Sequence, residues 1–154
     1  METLTAPRKV FNRKDFNDND PLARQAVRRI FQKDWVVEEN PFGEFDIDMR
    51  ICNLRQKETI YYVEVERRPE WRGNLFPFRT VHIPERKTKF FTKYLNGLYV
   101  AVNQDYTYAL LTTFNVILNS GNPIPCKNKH VKQGELFYPV ERESFKLCKI
   151  PKEN

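Results

Sequence analysis

Two neighbouring segments of this chain alternate apolar with acidic side chains, and that pattern restricts the fold more than any other feature. In residues 43–51, Phe45, Ile47, Met49 and Ile51 fall on one side of a two-residue period, and Glu44, Asp46, Asp48 and Arg50 on the other. In residues 59–68, Tyr61, Val63 and Val65 share a face, while Glu64 and Glu66 share the opposite one with Ile60 and Tyr62. Each segment is predicted to be a strand. Paired through the turn at 52–58, they would collect three or four carboxylates on one patch of one sheet. Like charges so placed repel, and the patch needs a cation or a proton to be tolerated. Mg²⁺ and Mn²⁺, which prefer hard oxygen ligands, are the natural candidates.

The surrounding chain supplies the elements that would frame such a pair. Asp20-Pro21 predicts a helix start, an N-cap followed by proline at the first helical position. Ala23, Ala26, Val27, Ile30 and Phe31 then form its apolar stripe, with Arg24, Arg28, Arg29 and Lys33 around the remainder. A first strand is expected at 35–39, ahead of the turn Asn40-Pro41-Phe42-Gly43. Residues 69–84 read as a long connection rich in Arg, Pro and aromatics. A second helix is expected from Pro84 to about Asn96, closed by Gly97. Leu98 to Val102 is a continuous apolar run suited to a buried strand, and a further strand is expected at about 108–118. Residues 119–130 look like loop, with short edge strands or a packed tail at 134–140 and 145–150. The reading is one α/β domain with a mixed central sheet: a basic arm (1–19), a core (20–118) and a C-terminal extension (119–154).

Composition narrows the classes. No apolar run approaches a membrane span, and residues 1–14 lack the apolar core of a secretory signal, so no membrane partner is expected. Cys52, Cys126 and Cys148 are dispersed and odd in number, which fits a reducing, cytoplasmic setting better than a disulfide framework. The net charge of +6 favours a polyanionic partner. No GxxxxGKS or GxGxxG loop is present, and His82 and His130 stand apart from any Ser/His/Asp or Cys/His set.

The order of elements, with Asp46 on the second strand and Glu64-Val65-Glu66 on the third, resembles the PD-(D/E)XK, or restriction-endonuclease-like, nucleases. Their core runs α-β-β-β-α-β, with an acid on the second strand and an acidic-x-Lys motif on the third. Here Glu66 stands where the lysine is usual, as in Glu-x-Glu variants of that family. The resemblance covers roughly residues 20–103. It implies that Asp46, Glu64 and the carbonyl of Val65 bind Mg²⁺ or Mn²⁺, and that Glu66 is a further ligand or positions the attacking water. It also implies that Lys87, on the inward side of the second helix beside Phe90 and Phe91, replaces the missing lysine. Asp48 is read as supporting or solvated rather than as a primary ligand.

Arg67, Arg68, Arg72, Arg79, Arg86 and Lys89 are candidate phosphate contacts, which strengthen binding without reading sequence. Trp71 is read as a loop anchor in preference to a base-stacking group. The expected activity is Mg²⁺-dependent hydrolysis of phosphodiester bonds in double-stranded DNA, with a homodimer suited to cutting both strands. Two alternatives stand beside it: a non-catalytic nucleic-acid-binding module on the same fold, and a structural or interaction protein.

Overall fold

The computed structural model describes residues 13–43, 45–55, 58–125 and 135–153, with side chains from Pro21 onward. Residues 1–12 of the expected basic arm, Glu44, Cys126, His130 and Gly134 lie outside them. The chain is α/β around a six-stranded mixed sheet. Helix α1 (Arg13–Phe31) leads into a meander of β1 (Val36–Glu39), β2 (Met49–Cys52) and β3 (Thr59–Arg67). After β4 (Thr80–Pro84) and a 3-10 turn (Glu85–Lys87) come α2 (Thr88–Lys93), β5 (Gly97–Val102) and β6 (Tyr108–Thr113). Helix α3 (Phe114–Leu118), β7 (Ile124–Pro125), β8 (Leu136–Glu141) and β9 (Lys146–Lys149) complete the described chain.

The large sheet has the order β1-β2-β3-β5-β6-β9, and a small one the order β4-β8-β7. Among the described residues only β3 and β5 pair in parallel, with Glu64 opposite Tyr99 and Glu66 opposite Ala101. This central pair separates two cores. On one side Ala23, Ala26 and Val27 of α1 pack on Met49, Ile51, Val63, Val65, Val100 and Val102. On the other, Phe91 of α2, Phe114 and Ile117 of α3, and Val81, Ile83, Tyr138 and Val140 of the small sheet pack against Tyr99 and Ala101. Strand β5 is covered on both faces, which is why its sequence is apolar without alternation. Glu64 and Glu66 project toward the second core.

Several expected boundaries are corrected. Helix α1 begins at Arg13 and carries Pro21 in its interior. A proline forfeits one helical hydrogen bond without forbidding the helix to run through it, so Asp20-Pro21 does not mark the start. The acidic segment 43–51 is a strand only from Met49. Before it, Asn40 at φ 48° and Gly43 at φ 108° bend the backbone, and the Asp46 N–H donates to the Gly43 carbonyl at 3.2 Å. The two-residue period therefore fails there: Ile47 joins the core under α2, whereas Met49 and Ile51 join the core under α1. The connection 69–84 ends in a strand, so Pro84 closes β4 instead of opening a helix. Residues 114–118 form a helix, because the Thr113 hydroxyl caps the Val116 N–H at 3.1 Å and the buried Phe114 and Ile117 lie three apart. Val81 and Ile83 had no partner visible in sequence. Their partners lie on β8, 59 and 55 positions on at Val140 and Tyr138.

Candidate active site

On the face of the sheet beneath α2, three acids approach one lysine. Register on the antiparallel β2–β3 pair sets Met49 opposite Val63, so Asp48, one residue earlier, comes beside Glu64 at the strand entry. The Val65 N–H donates to Asp48 Oδ2 at 2.8 Å, and Asp48 and Glu64 are both buried. From the 3-10 turn that precedes α2, Lys87 Nζ donates to Glu64 Oε2 at 2.5 Å. Burial alone would depress the lysine, but Glu64, Glu66 and Asp48 together raise it and keep it charged. The ammonium thus supplies the positive charge that the carboxylate patch requires.

Glu66 is held from its other side. The Tyr99 hydroxyl donates to Glu66 Oε1, and Arg68 Nη2 lies 3.3 Å from the same oxygen. Arg68 Nη2 also donates to Tyr99 Oη at 2.9 Å and to the His82 carbonyl at 2.7 Å. Burial pushes the Glu66 carboxyl upward, but the charges of Arg68 and Lys87 and the Tyr99 hydrogen bond override it and bring it down to about 2. Glu66 is a fixed, ionised group.

A cleft of about 360 Å³ adjoins this cluster, lined by Arg86, Lys87, Lys89 and Phe90. Lys87 belongs to both: it lines the cleft, and its Nζ is bonded to Glu64. Arg86 is anchored by Glu135, Nη1 to Oε2 at 3.0 Å, and Lys89 is exposed over the Phe90 ring. Three cations beside one aromatic ring make a cleft suited to an anion.

The predicted site residues divide accordingly. Glu64, Glu66, Lys87 and the backbone of Val65 come together, and Arg86 and Lys89 flank them. Asp46 does not join them: it sits before β2, where its carboxylate accepts the Tyr94 hydroxyl, Lys93 Nζ at 3.2 Å and the Ile47 N–H at 2.7 Å. Those contacts, the Tyr94 bond foremost, hold its acidity stronger than usual. Asp48 takes the position expected of Asp46, displaced by two residues because the chain turns where a strand was expected. Arg68 is buried against Glu66 and so is not a phosphate contact. Arg67 donates to the Gln104 carbonyl at 2.9 Å, Arg79 pairs with Glu141 at 3.4 Å, and Arg72 is exposed on the 69–84 connection. Trp71 is fully buried against Phe76 and anchors its loop. His82 lies on β4, 3.0 Å from the Thr80 hydroxyl, and not in a loop.

Among the described residues no three His, Cys, Asp or Glu side chains are grouped as a ready-made metal ligand set. One observation does fit a cation: Glu64 Oε1 is buried without a hydrogen-bond partner among those residues. A hard divalent ion is what such an oxygen, next to Asp48, would accept. No helix among the described residues is long and apolar enough to cross a membrane. Comparison with family models, with curated proteins and with solved structures finds no match to this chain.

Proposed function

We propose that this protein is a metal-dependent nuclease that hydrolyses DNA phosphodiester bonds on a restriction-endonuclease-like α-β-β-β-α-β core. The observation that carries the reading is the Lys87 ammonium bonded to Glu64 beside Asp48 and Glu66, at the edge of a cationic cleft. The succession α1, β1 to β3, α2 and β5, with β4 and the 3-10 turn inserted before α2 and β5 parallel to β3, supports it, as do Asp48 at the entry to β2 and Glu64 and Glu66 on β3. Asp48 and Glu64, with the Val65 backbone between them, would hold Mg²⁺ or Mn²⁺. Such an ion acidifies a bound water and offsets charge growing on the scissile phosphate.

The chain's own groups have separable tasks in this scheme. Lys87 neutralises Glu64 at the edge of the cleft, the role that a motif lysine would otherwise fill. Glu66, kept ionised by Arg68 and Tyr99, is a hydrogen-bond acceptor for a water beside Glu64. Arg86 and Lys89 hold a phosphate in the cleft without regard to base sequence. The test is incubation of the full chain with plasmid, linear duplex and single-stranded DNA in Mg²⁺, Mn²⁺ or EDTA. Metal-dependent cleavage abolished by E64Q and by D48N is expected; no cleavage of any substrate, or cleavage indifferent to E64Q, overturns the proposal.

The second reading, a non-catalytic binding module, draws on the same ion pair. Because Lys87 already compensates the carboxylates, the fold tolerates them without a metal. That reading expects salt-dependent DNA binding with no turnover. Calorimetric titration with Mn²⁺ separates the two, since a binder takes up no ion that D48N removes.

A further inference from the structure

Beside the acid cluster, on the same sheet face, lies an aromatic group that the proposed chemistry does not use. Tyr62 precedes Glu64 by two residues, about 7 Å along β3, and points to the same side. Its ring lies 4.5 Å from that of Tyr94, and Phe42 lies 6.2 Å from each, within 7° of parallel to Tyr94. Tyr94 is buried, whereas Phe42 is 54% exposed at the top of the group. The turn displays it deliberately: Asn40 and Gly43 take positive φ on either side, and the Gly43 N–H closes on the Asn40 carbonyl at 3.1 Å. Asp46 fixes the platform from below by accepting the Tyr94 hydroxyl, and Lys93 Nζ sits 5.1 Å from the Tyr94 ring centroid while bonded to Asp46.

An exposed phenyl ring stacked on Tyr94, whose own ring has the Lys93 ammonium 5.1 Å from its centroid, matches a flat apolar ligand that carries negative charge at its edge. A nucleotide has that shape and charge. We infer that Phe42, Tyr62 and Tyr94 form a stacking subsite for one unpaired nucleobase next to the phosphate bound in the Arg86–Lys87–Lys89 cleft. The inference rests on the nuclease reading for its phosphate and adds the substrate class: DNA with an unpaired base beside the cut, as at a single-stranded stretch, flap or junction. A paired base, buried in its stack, presents no free face to Phe42. Asp46 thereby acts as a positioning residue for Tyr94.

The test measures binding in EDTA, so that it does not depend on cleavage. The full chain is titrated with a short single-stranded oligonucleotide carrying 2-aminopurine, and with the same probe base-paired in a duplex. Quenching of the single-stranded probe is expected, with little for the duplex. F42A should weaken single-strand binding roughly 5- to 160-fold, the range for losing one base–aromatic stack, while F42W restores it. Phe42 is exposed, so F42A keeps the fold, which a thermal melt verifies. Equal quenching of both probes, or unchanged binding by F42A, overturns the inference. So does a shift from dimer to monomer on F42A, which would make the patch a contact between copies. Failure of the nuclease reading shows separately, as quenching without cleavage when Mg²⁺ is restored. Failure of this inference alone shows as cleavage by F42A with the wild-type preference between single- and double-stranded DNA.

Discussion

Replacing Lys87 with methionine tests the charge balance of the acid cluster directly. The Lys87 and Glu64 side chains are 15% and 6% exposed, so their ion pair is out of reach of solvent screening. Methionine keeps most of the stem's packing and removes the ammonium. Glu64, with one oxygen already unpartnered among the described residues, then lies buried without the ammonium that balances it. Removing one partner of such a pair costs about 3–5 kcal/mol. At about 2–4 °C per kcal/mol for a domain of this size, the melting temperature should fall by about 6–20 °C.

The pH dependence has a definite sign. Without Lys87 the uncompensated acids bind a proton more readily in the folded than in the unfolded chain, so K87M should regain stability as pH falls from 8 to 5. The wild type should not, because Lys87 is raised in the fold: its contribution is complete below the usual lysine range and is lost only as pH rises through its elevated folded value. Urea denaturation followed by circular dichroism at pH 8 and pH 5 reads both effects. The double variant E64L/K87M should recover at least half of the loss, since a buried pair can be exchanged for apolar groups at little cost. A loss under about 1 kcal/mol at pH 8, the value of an exposed pair, would refute the reasoning. A double variant no more stable than K87M would do the same.

Two further outcomes follow from the packing. Glu66 is held at about 2 in the fold against 4.5 ordinarily, so its stabilisation is present above the ordinary value and disappears as pH falls toward the folded one; R68M should move acid unfolding to higher pH in a circular-dichroism titration, and an unmoved transition would dismiss Arg68 as its anchor. G97A should destabilise by about 1–3 kcal/mol or more, because a Cβ there would stand 1.8 Å from Phe114 Cδ2; G97A/F114L should recover part of this, and a neutral G97A would contradict the packing of α3 on β5.

The candidate site was legible in parts, for reasons that differ by residue. Glu64 and Glu66 could be assigned a common face because β3 is regular, and strand periodicity is a local property of the chain. Lys87 could be named from its place between Pro84 and the Phe90-Phe91 pair, although the local structure is a 3-10 turn joined to a short helix. Alternation through residues 43–48 puts Asp46 and Asp48 on one face without separating them, and the resemblance that selects Asp46 assumes a strand where Asn40 and Gly43 turn the chain. Only the seam with β3, where Val65 bonds Asp48, distinguishes the two acids. Arg68 lies outside any local rule, since its burial depends on Tyr99 and the His82 carbonyl, 31 and 14 positions away.

What the sequence by itself determined is the mixed α/β architecture, the buried strand β5 and a patch of acids that demands a positive charge, all consequences of side-chain periodicity and of like-charge repulsion. What only the tertiary structure decided is that Lys87 meets Glu64 and that Asp48, not Asp46, lies beside them. Ion pairing inside a protein is set by distances of a few ångströms between segments remote in the chain, and no periodicity encodes those. Lys87 reaches Glu64 across 23 positions because the residues between them fold back over the sheet.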